Sequence, residues 1–347
     1  MNKRPRRQLF FATTLPGLGD LLKDEISAHQ SLDPEGEPGF DGRADLVFFR
    51  QRRGAQFRLD DLRLAEDVFA AIGEARTGPP GRVAAEAITR AGLEHALSTR
   101  ARFGQPPRPA MTIRAITRVV DEQQFKRTEL RDAIMRAISA ERPRWRAADP
   151  AELEIWVLEH HRTHFTSGLR LSDKKMRQRG DGREVERHGA LRPVIAAAMV
   201  HLAGARPGRL LDPCCGTGTI LSEALALGWD VTGSDIDPEA VAIATANVPE
   251  ASVRQADAVE LPHPNESFDA VAANLPFGKQ FRVDTDPRRW VSRTLGEAAR
   301  VTRPGGLVIL LNPPPMPKDL AGLTLAESHP VRVLGTSAKI WVYTRNG

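Results

Sequence analysis

The chain has 347 residues, of which 41% are hydrophobic and 27% charged, so we expect a globular protein of two or more domains. No run of about 18 apolar residues could span a bilayer, and the basic start of the chain lacks an apolar signal core, so we expect a cytoplasmic protein without a membrane anchor. The net charge of +5 is uneven: residues 1–190 hold 34 Lys and Arg against 28 Asp and Glu, which favours a polyanion partner, although an arginine-rich composition alone would give the same excess.

The first part of the chain is predicted to form a small α+β unit of the βαβ type. A strand at Leu9–Thr13 is followed by a turn, a helix over Leu18–His29 and a strand near Leu46–Phe49. The stretch Phe57–Ile72 adds a further strand.

A second α+β module is predicted to end at residue 172. Clusters of glycine and proline near Thr77 and Gly104 enclose one amphipathic helix. Met111–Val120 alternates as a strand does, Thr128–Ile138 has helical spacing, and Glu152–Ser172 is typical of two further strands.

Three histidines in this module, His160, His161 and His164, suggest a metal site at first reading. Alternation along a strand places His160 and His164 on one face and His161 on the other. We therefore interpret them as a polar strand face, and we expect no metal.

The stretch DKKMRQRGDGREVERH, residues 173–188, is strongly charged and contains two glycines, which is typical of an exposed connector. A helix over Leu191–Gly204 follows, and strands then alternate with helices to the end of the chain. This alternation predicts an α/β domain with a mostly parallel sheet.

The strand Gly208–Asp212 runs into the turn PCCGTG and then into a helix, an arrangement that binds nucleotide-like ligands. Gly216 and Gly218 allow close approach of a ligand to the backbone. The third glycine of the dinucleotide fingerprint is absent because position 221 is Leu, which disfavours a nicotinamide or flavin cofactor. The two cysteines, Cys214 and Cys215, are adjacent and too few for a disulfide framework or a structural zinc site.

Carboxylates follow the first three strands of this domain. Asp212, Asp235 and Asp257 are expected to face one crevice, since the carboxyl ends of parallel strands meet at one edge of a sheet. Such a set suits a ligand with an amino group, a ribose diol and an adenine amine, and it suits a cationic sulfonium better than a pyrophosphate. The alternative is that each Asp only caps a following helix or turn.

These motifs together resemble the class I S-adenosylmethionine-dependent methyltransferase family. DPCCGTG is similar to its first motif, GSDIDP to its second, QADA to its third and SFDAVAANLPFG to its fourth, and the resemblance covers residues 185–347. It implies a Rossmann-like, seven-stranded, mostly parallel sheet that ends in a hairpin of strands near Leu323–Val333 and Ala338–Thr344. It also implies S-adenosylmethionine as cofactor, with the Gly216–Gly218 loop at the methionine part, Asp235 at the ribose and Asp257 at the adenine. The cofactor residues implied in this way are Asp212, Gly216, Thr217, Gly218, Asp235, Ile236, Asp257 and Ala258.

The fourth strand delivers the sequence Asn274-Leu-Pro-Phe277 to the same crevice. The lone pair of an exocyclic amine is delocalised into its base, so a transferase must aim that lone pair at the methyl group. The Asn274 side-chain carbonyl and the backbone carbonyl at Pro276 could accept both N–H bonds while Phe277 stacks on the base. Asn274, Pro276 and Phe277 are therefore the predicted catalytic residues. A second motif, Asn312-Pro-Pro, lacks an aromatic residue and is interpreted as a loop.

Similar Asp/Asn-Pro-Pro-aromatic motifs belong to amine N-methyltransferases that act on adenine, cytosine, guanine or glutamine. This chain departs from that pattern with Leu275 at the second position, a variant that resembles THUMP-containing guanine-N2 methyltransferases. FFATTLPGLGDLLKDEI, which begins at Phe10, resembles the N-terminal ferredoxin-like segment of that family, and residues 111–172 resemble its THUMP domain.

The resemblance implies four parts: a ferredoxin-like segment, a THUMP-like RNA-binding module, a charged linker and a methyltransferase domain. Their boundaries are residues 1–76, 77–172, 173–187 and 188–347. It also implies that the chain methylates the N2 amine of a guanosine in RNA, with tRNA as the usual substrate of the family. The alternatives are an RNA-binding or assembly protein with an inactive transferase domain, against which the intact motifs argue, and a DNA or protein-glutamine N-methyltransferase, which the THUMP-like half disfavours.

Overall fold

The computed structural model describes residues 7–120, 125–161, 163–173, 176, 191–276, 286–317, 319–320, 322–333 and 336–347. The chain forms two compact units, residues 1–177 and 178–347, each built on its own sheet. Within the described ranges no helix is both long enough and apolar enough to cross a membrane.

The first unit contains one eight-stranded sheet in the order β2-β3-β1-β4-β8-β7-β5-β6. Neighbouring strands are antiparallel except for β5, which pairs in parallel with both β6 and β7. Its strands are β1 Leu9–Thr14, β2 Leu32–Phe40, β3 Asp45–Gln51, β4 Asp67–Arg76, β5 Thr112–Arg118, β6 Arg146–Ala147, β7 Leu153–His160 and β8 His164–Arg170. Its helices are α1 Gly19–Ala28, α2 Pro80–Ala87, α3 Arg90–Arg102 and α4 Arg127–Glu141, with a 3-10 turn at Leu59–Asp61.

Consecutive phenylalanines on β1 fill both sides of this sheet because side chains alternate along a strand. Phe10 stacks on Phe49 with ring centroids 5.4 Å apart, and Phe11 stacks on Phe69 at 4.6 Å. All four rings are fully buried. The sheet is therefore a central layer with apolar packing on each face.

Most predicted elements of this unit are present, but the strand predicted within Phe57–Ile72 begins only at Asp67, and the two-residue strand β6 was not predicted. Three further differences follow. The strand β2 was missed because its sequence, LDPEGEPGF, carries two prolines and two glycines, which a strand tolerates at the edge of a sheet. Because β2 intervenes, β1 and β3 are antiparallel neighbours and the βαβ interpretation is wrong. The single helix predicted between residues 77 and 104 is two helices, α2 and α3, and Thr89 caps the second by accepting a hydrogen bond from Gly92 N at 3.1 Å.

The predicted division of this unit at residue 76 falls at the end of β4, which pairs with β8. Strands from both predicted parts thus share one sheet, and the division stays a prediction. The predicted linker, residues 173–187, lies outside the described residues except for Asp173 and Met176.

The histidines lie at the hairpin that joins β7 and β8. His160 and His164 are register partners, whereas His161 lies in the turn with a φ of 49°, so strand alternation does not apply to it. Among the described residues, no group of three or more His, Cys, Asp or Glu side chains is arranged to hold a metal ion.

The second unit is the predicted α/β domain, and its fold class is confirmed. Its sheet has the order β11-β10-β9-β12-β13-β16-β15-β14, with the first five strands parallel and the last three antiparallel. The two-residue edge strand β14 extends the predicted seven strands to eight, and the predicted terminal hairpin is formed by β15 and β16. The strands are β9 Arg209–Asp212, β10 Asp230–Asp235, β11 Ser252–Gln255, β12 Phe268–Asn274, β13 Thr302–Asn312, β14 Asp319–Leu320, β15 Leu323–Val333 and β16 Thr336–Arg345. The helices are α5 Pro193–Leu202, α6 Thr219–Ala226, α7 Pro238–Asn247 and α8 Pro287–Val301.

A hydrophobic core lies between one face of this sheet and α8. Leu211, Val271 and Leu310 from three neighbouring strands pack in one cluster with Trp290 and Leu295 of the helix. Strand order reverses between β9 and β12, because the chain runs outward through β10 and β11 before it returns. In open α/β sheets, ligands bind in the crevice beyond the carboxyl ends of the strands at such a reversal.

Candidate active site

The carboxyl ends of β9, β10 and β12 bring three of the predicted site residues to one sheet edge. Asp212 is the last residue of β9 and pairs in register with Gly233 on β10. On the other side it lies level with Ala272 of β12, because the preceding pair in register is Leu211 with Val271. Asp235 and Asn274 each lie two residues farther along the flanking strands. By strand alternation all three side chains belong to the same face of the sheet.

The glycine turn after β9 is held open towards this edge. Gly216 and Gly218 have φ values of 52° and 84°, a region that residues with a Cβ rarely adopt. A Cβ on Gly216 would meet no atom within 4 Å, whereas one on Gly218 would lie 3.1 Å from the Val248 side chain. Gly216 therefore faces open space, and Gly218 serves close packing.

Two hydrogen bonds connect the turn to residues outside it and hold it in place. Cys215 N donates to Ser234 O on β10 at 2.9 Å, and the Asn247 side-chain amide at the end of α7 donates to Thr217 O at 3.0 Å. Asn247 is a positioning residue that the sequence reasoning missed, because nothing in a linear pattern connects residue 247 to residue 217.

Asp235 binds the backbone of the site directly. Its Oδ2 accepts from Gly216 N at 2.9 Å, and its Oδ1 accepts from Asp237 N at 3.0 Å. The carboxylate thus ties the glycine turn to the end of β10, a link that the sequence did not reveal.

Ile236, the next residue, is 65% exposed, more than any other large apolar residue in the described chain. The Gln255 side-chain amide donates to its carbonyl at 2.9 Å. Gln255 was also missed, although its place as the last residue of β11 was a usable signal.

Asp212 is almost fully enclosed, with 1% of its surface exposed, and its Oδ1 accepts from Cys214 N at 3.0 Å. Burial raises the pKa of this carboxyl well above its ordinary range, and the nearby Asp235 adds to the shift. Burial together with these carboxylates also raises the pKa of the Cys214 thiol well above its usual value. Cys214 is therefore not a thiolate nucleophile at neutral pH.

Asp257 follows β11 and caps the next turn, because its Oδ1 accepts from Val259 N at 3.1 Å. Its neighbour Ala258 is buried. Asp212 and Asp235 also accept hydrogen bonds from nearby backbone N–H groups. Each of the three carboxylates therefore caps a turn, as in the alternative interpretation of the sequence.

The loop after Asp257 is anchored to α8 by one arginine. Arg300 donates to Leu261 O at 2.9 Å and to His263 O at 2.7 Å, and it forms an ion pair with Glu297 at 2.7 Å. This anchor is a third feature that the sequence reasoning missed.

Asn274 is half-buried at the end of β12, and its Oδ1 is shielded from solvent with no hydrogen-bond partner among the described residues. Leu275 is fully buried and donates its N–H to Leu311 O on β13 at 3.2 Å, while Pro276 is half-buried. Phe277 lies outside the described residues. A buried carbonyl oxygen without a donor is costly to maintain, so Asn274 Oδ1 is a candidate acceptor for a ligand N–H.

Comparison with known proteins gives matches to both units. The UPF0020 family model, described as an RMKL-like methyltransferase domain, matches residues 180–335. The tRNA (guanine(6)-N2)-methyltransferase of Thermus thermophilus is 30% identical over 314 residues, which cover 86% of this chain and 88% of that protein. The chain belongs to the THUMP-containing guanine-N2 RNA methyltransferase family.

Two further matches are consistent with this family. The U6 snRNA (guanine-N(2))-methyltransferase THUMPD2 of Bos taurus is 40% identical over 131 residues, 35% of this chain. The match covers 25% of that protein's length. The crystal structure of TrmN from Thermus thermophilus has the same fold, with a TM-score of 0.72, 24% identity and coverage of 97% of this chain and 99% of that one.

S-adenosylmethionine is the cofactor of this methyltransferase family, and the residues at the sheet edge fit it. A cationic sulfonium and an ammonium group suit a crevice with the Asp212 and Asp235 carboxyl groups, since a bound cation favours the ionised form of Asp212, whose pKa burial has raised. The open space at Gly216 admits a ligand against the backbone, and the exposed Ile236 side chain offers an apolar surface to a planar base.

Proposed function

We propose that this chain transfers a methyl group from S-adenosylmethionine to the exocyclic N2 amine of a guanosine in RNA, with tRNA as the substrate. The observation that carries the proposal is the buried Oδ1 of Asn274, which has no partner among the described residues and lies at the same sheet edge as Asp212 and Asp235. The family relatives, which are named for guanine-N2 methylation of tRNA and U6 snRNA, support the choice of base.

In this proposal the cofactor residues contact different parts of S-adenosylmethionine. The Gly216–Gly218 loop, with Thr217, holds the methionine part beside Asp212; Asp235 holds the ribose, and Ile236 lies against the adenine. Asp257 and Ala258 hold the adenine edge. The bound cofactor would supply an electrophilic methyl group on its sulfonium; as the S–CH3 bond breaks, the sulfur would leave as the neutral thioether and the methylated amine would release one N–H proton to solvent.

Asn274 acts on the amine. Its Oδ1 accepts one N–H of the guanine amine, and the backbone carbonyl at Pro276 accepts the other, so the nitrogen lone pair is directed out of the base plane. These acceptors gain strength as charge develops on the nitrogen, which is how fixed dipoles lower a barrier. The rest of the work is positioning for in-line attack. Stacking of the base on Phe277 stays a prediction of the sequence.

The RNA itself is assigned to the first unit. We propose that residues 1–76 and 77–172 hold the RNA and that residues 188–347 carry the transfer reaction. The excess of basic residues before residue 190 supports this division, because phosphate contacts require Lys and Arg.

The test is an Asn274→Ala variant incubated with unmodified tRNA and S-adenosylmethionine. The turnover rate should fall by about a hundredfold or more, as for loss of one transition-state hydrogen bond, while cofactor affinity stays near that of the wild type. Asn346→Ala is the matched control, because Asn346 is an exposed asparagine after β16 whose Oδ1 accepts from the Thr324 hydroxyl at 2.9 Å. Nucleoside mass spectrometry should find N2-methylguanosine. A methyl group on a ring carbon or a ribose, or normal turnover by Asn274→Ala, would refute the proposal.

A further inference from the structure

A cavity of the first unit lies between the end of β3 and the end of α3. Its volume is about 610 Å³, within the range of roughly 300–1,000 Å³ that small-molecule sites occupy. Four of its lining side chains are arginines: Arg7, Arg52, Arg53 and Arg102. No Asp or Glu is among the described residues that line it.

The floor of the cavity is aromatic and rigid. Phe57 and Phe103 line it with ring centroids 5.4 Å apart at an angle of 70°. Phe57 packs edge-on against the core residues Phe10 and Phe49 at 5.5 and 5.9 Å. Phe103 is half-buried, so part of its ring faces the cavity.

Two of the three glutamine side chains in the wall, those of Gln8 and Gln51, already have hydrogen-bond partners, whereas Gln56 is exposed. The Gln8 amide donates to Ala71 O at 2.9 Å, and its carbonyl accepts from Thr99 at 3.1 Å. The Gln51 amide donates to Ala55 O. The donors that remain for a ligand are therefore mainly the guanidinium groups.

The four arginines differ in how far they are neutralised. Asp33 on β2 accepts from Arg52 at 2.8 Å and from Arg7 at 3.3 Å, so one carboxylate serves two arginines at the rim. Arg53 and Arg102 are exposed and have no carboxylate partner among the described residues. Arg53 lies in a tight turn completed by Gly54, whose φ is 74°.

We propose that this cavity binds one unpaired nucleotide of the RNA substrate, with its phosphate on Arg53 and Arg102 and its base against Phe103. Guanidinium groups match phosphate oxygens with paired N–H donors, and an aromatic face accepts any base by stacking. The inference rests on the proposed function in that it takes RNA as the substrate. It goes further by naming the cavity, the residues and the unpaired nucleotide that they hold.

The experiment measures binding of fluorescently labelled tRNA by anisotropy at several salt concentrations. It compares full-length wild type with Arg53→Gln, Arg102→Gln and the double variant. Arg90→Gln is the matched control, because Arg90 is exposed at the opposite end of the helix that carries Arg102. Each cavity variant should weaken RNA binding by about three- to tenfold at low salt and lower the slope of log affinity against log salt by about one. The thermal unfolding transition of residues 1–177 should be unchanged in every variant, which excludes misfolding of the unit that carries the substitutions.

Two results would overturn the cavity proposal. The first is wild-type RNA affinity in the double variant; a parallel titration with free guanosine monophosphate, bound by the wild type and lost in that variant, would then assign the cavity to a free nucleotide. The second is an equal loss in Arg90→Gln. A wild-type chain that binds tRNA through these arginines but forms no N2-methylguanosine would refute only the proposed function.

Discussion

Asp212 is the most enclosed carboxylate of the candidate site, with 1% of its surface exposed, and it is also a proposed cofactor residue. Its burial raises its pKa, so the folded chain keeps a proton that the unfolded chain releases near the ordinary carboxyl pKa of about 4. The folded state therefore binds more protons over the interval between these two pKa values. It follows that the free energy of unfolding falls as pH rises through this interval.

The Asp212→Asn variant tests this linkage. Asparagine keeps an oxygen that can accept from Cys214 N, and it cannot ionise. The free energy of unfolding of the variant should therefore lack the decrease with pH that Asp212 causes in the wild type. Urea unfolding of the cofactor-free chain from pH 4 to pH 8 should show a stability difference that grows with pH in favour of the variant. Asp230→Asn, at an exposed position on β10, should follow the wild type. A difference that is constant with pH would contradict the argument.

Asp235 offers a second test at the same scale. Asp235→Ala removes the acceptor for both Gly216 N and Asp237 N and also removes the proposed ribose contact. Calorimetry should show weaker S-adenosylmethionine binding by about 1–3 kcal/mol, as for loss of charged hydrogen bonds. Glu250→Ala, which changes an exposed carboxylate after α7, should bind the cofactor like the wild type. Equal affinities for Asp235→Ala and the wild type would remove Asp235 from the site.

At the scale of elements, the sequence predicted well wherever one local pattern determines one element. The strand β12 has the predicted limits, Phe268–Asn274, because it is an apolar run that ends at a polar motif. The edge strand β2 could not be predicted, since its pairing with β3 outweighs an unfavourable composition. In the site, the sequence located Asp212, Asp235 and Asn274 but not Asn247, Gln255 or Arg300. These three side chains act on backbone atoms 19 to 39 residues away, and only the folded chain brings such pairs together.

Helix α8 gives a prediction at this scale, because Arg300 connects it to the loop that follows Asp257. The pairing with Glu297 raises the pKa of Arg300, and its N–H groups serve Leu261 O and His263 O. Arg300→Lys cannot reproduce this planar set of donors, so the chain should lose about 1–3 kcal/mol of unfolding free energy in urea titrations. Arg303→Lys is the control: Arg303 pairs with Asp269 at 2.8 Å but is 60% exposed, so the loss should stay below about 1 kcal/mol. Similar losses for both variants would mean that Arg300 does not anchor the loop.

At the scale of the whole molecule, charge and chemistry are divided between two units that each have a sheet and a core of their own. Residues 191–347 hold 15 Lys and Arg against 16 Asp and Glu, so this part has no basic excess with which to attract RNA. The proposed cofactor residues, by contrast, all lie between Asp212 and Ala258. The proposed function thus assigns affinity for the RNA and affinity for the methyl donor to different parts of the chain.

Scanning calorimetry of the full-length chain can test this division. A ligand stabilises the unit that binds it, by about 2.7 kcal/mol when its concentration is 100 times its Kd. We expect S-adenosylmethionine to raise the unfolding temperature of one transition, that of residues 178–347, and to leave the transition of residues 1–177 unchanged. The Asp235→Ala variant should lose the shift at the same ligand concentration, which assigns it to the proposed site. A single transition that shifts as a whole when the cofactor binds would show instead that the two units unfold as one cooperative body. The two units would then not differ in how the cofactor changes their stability.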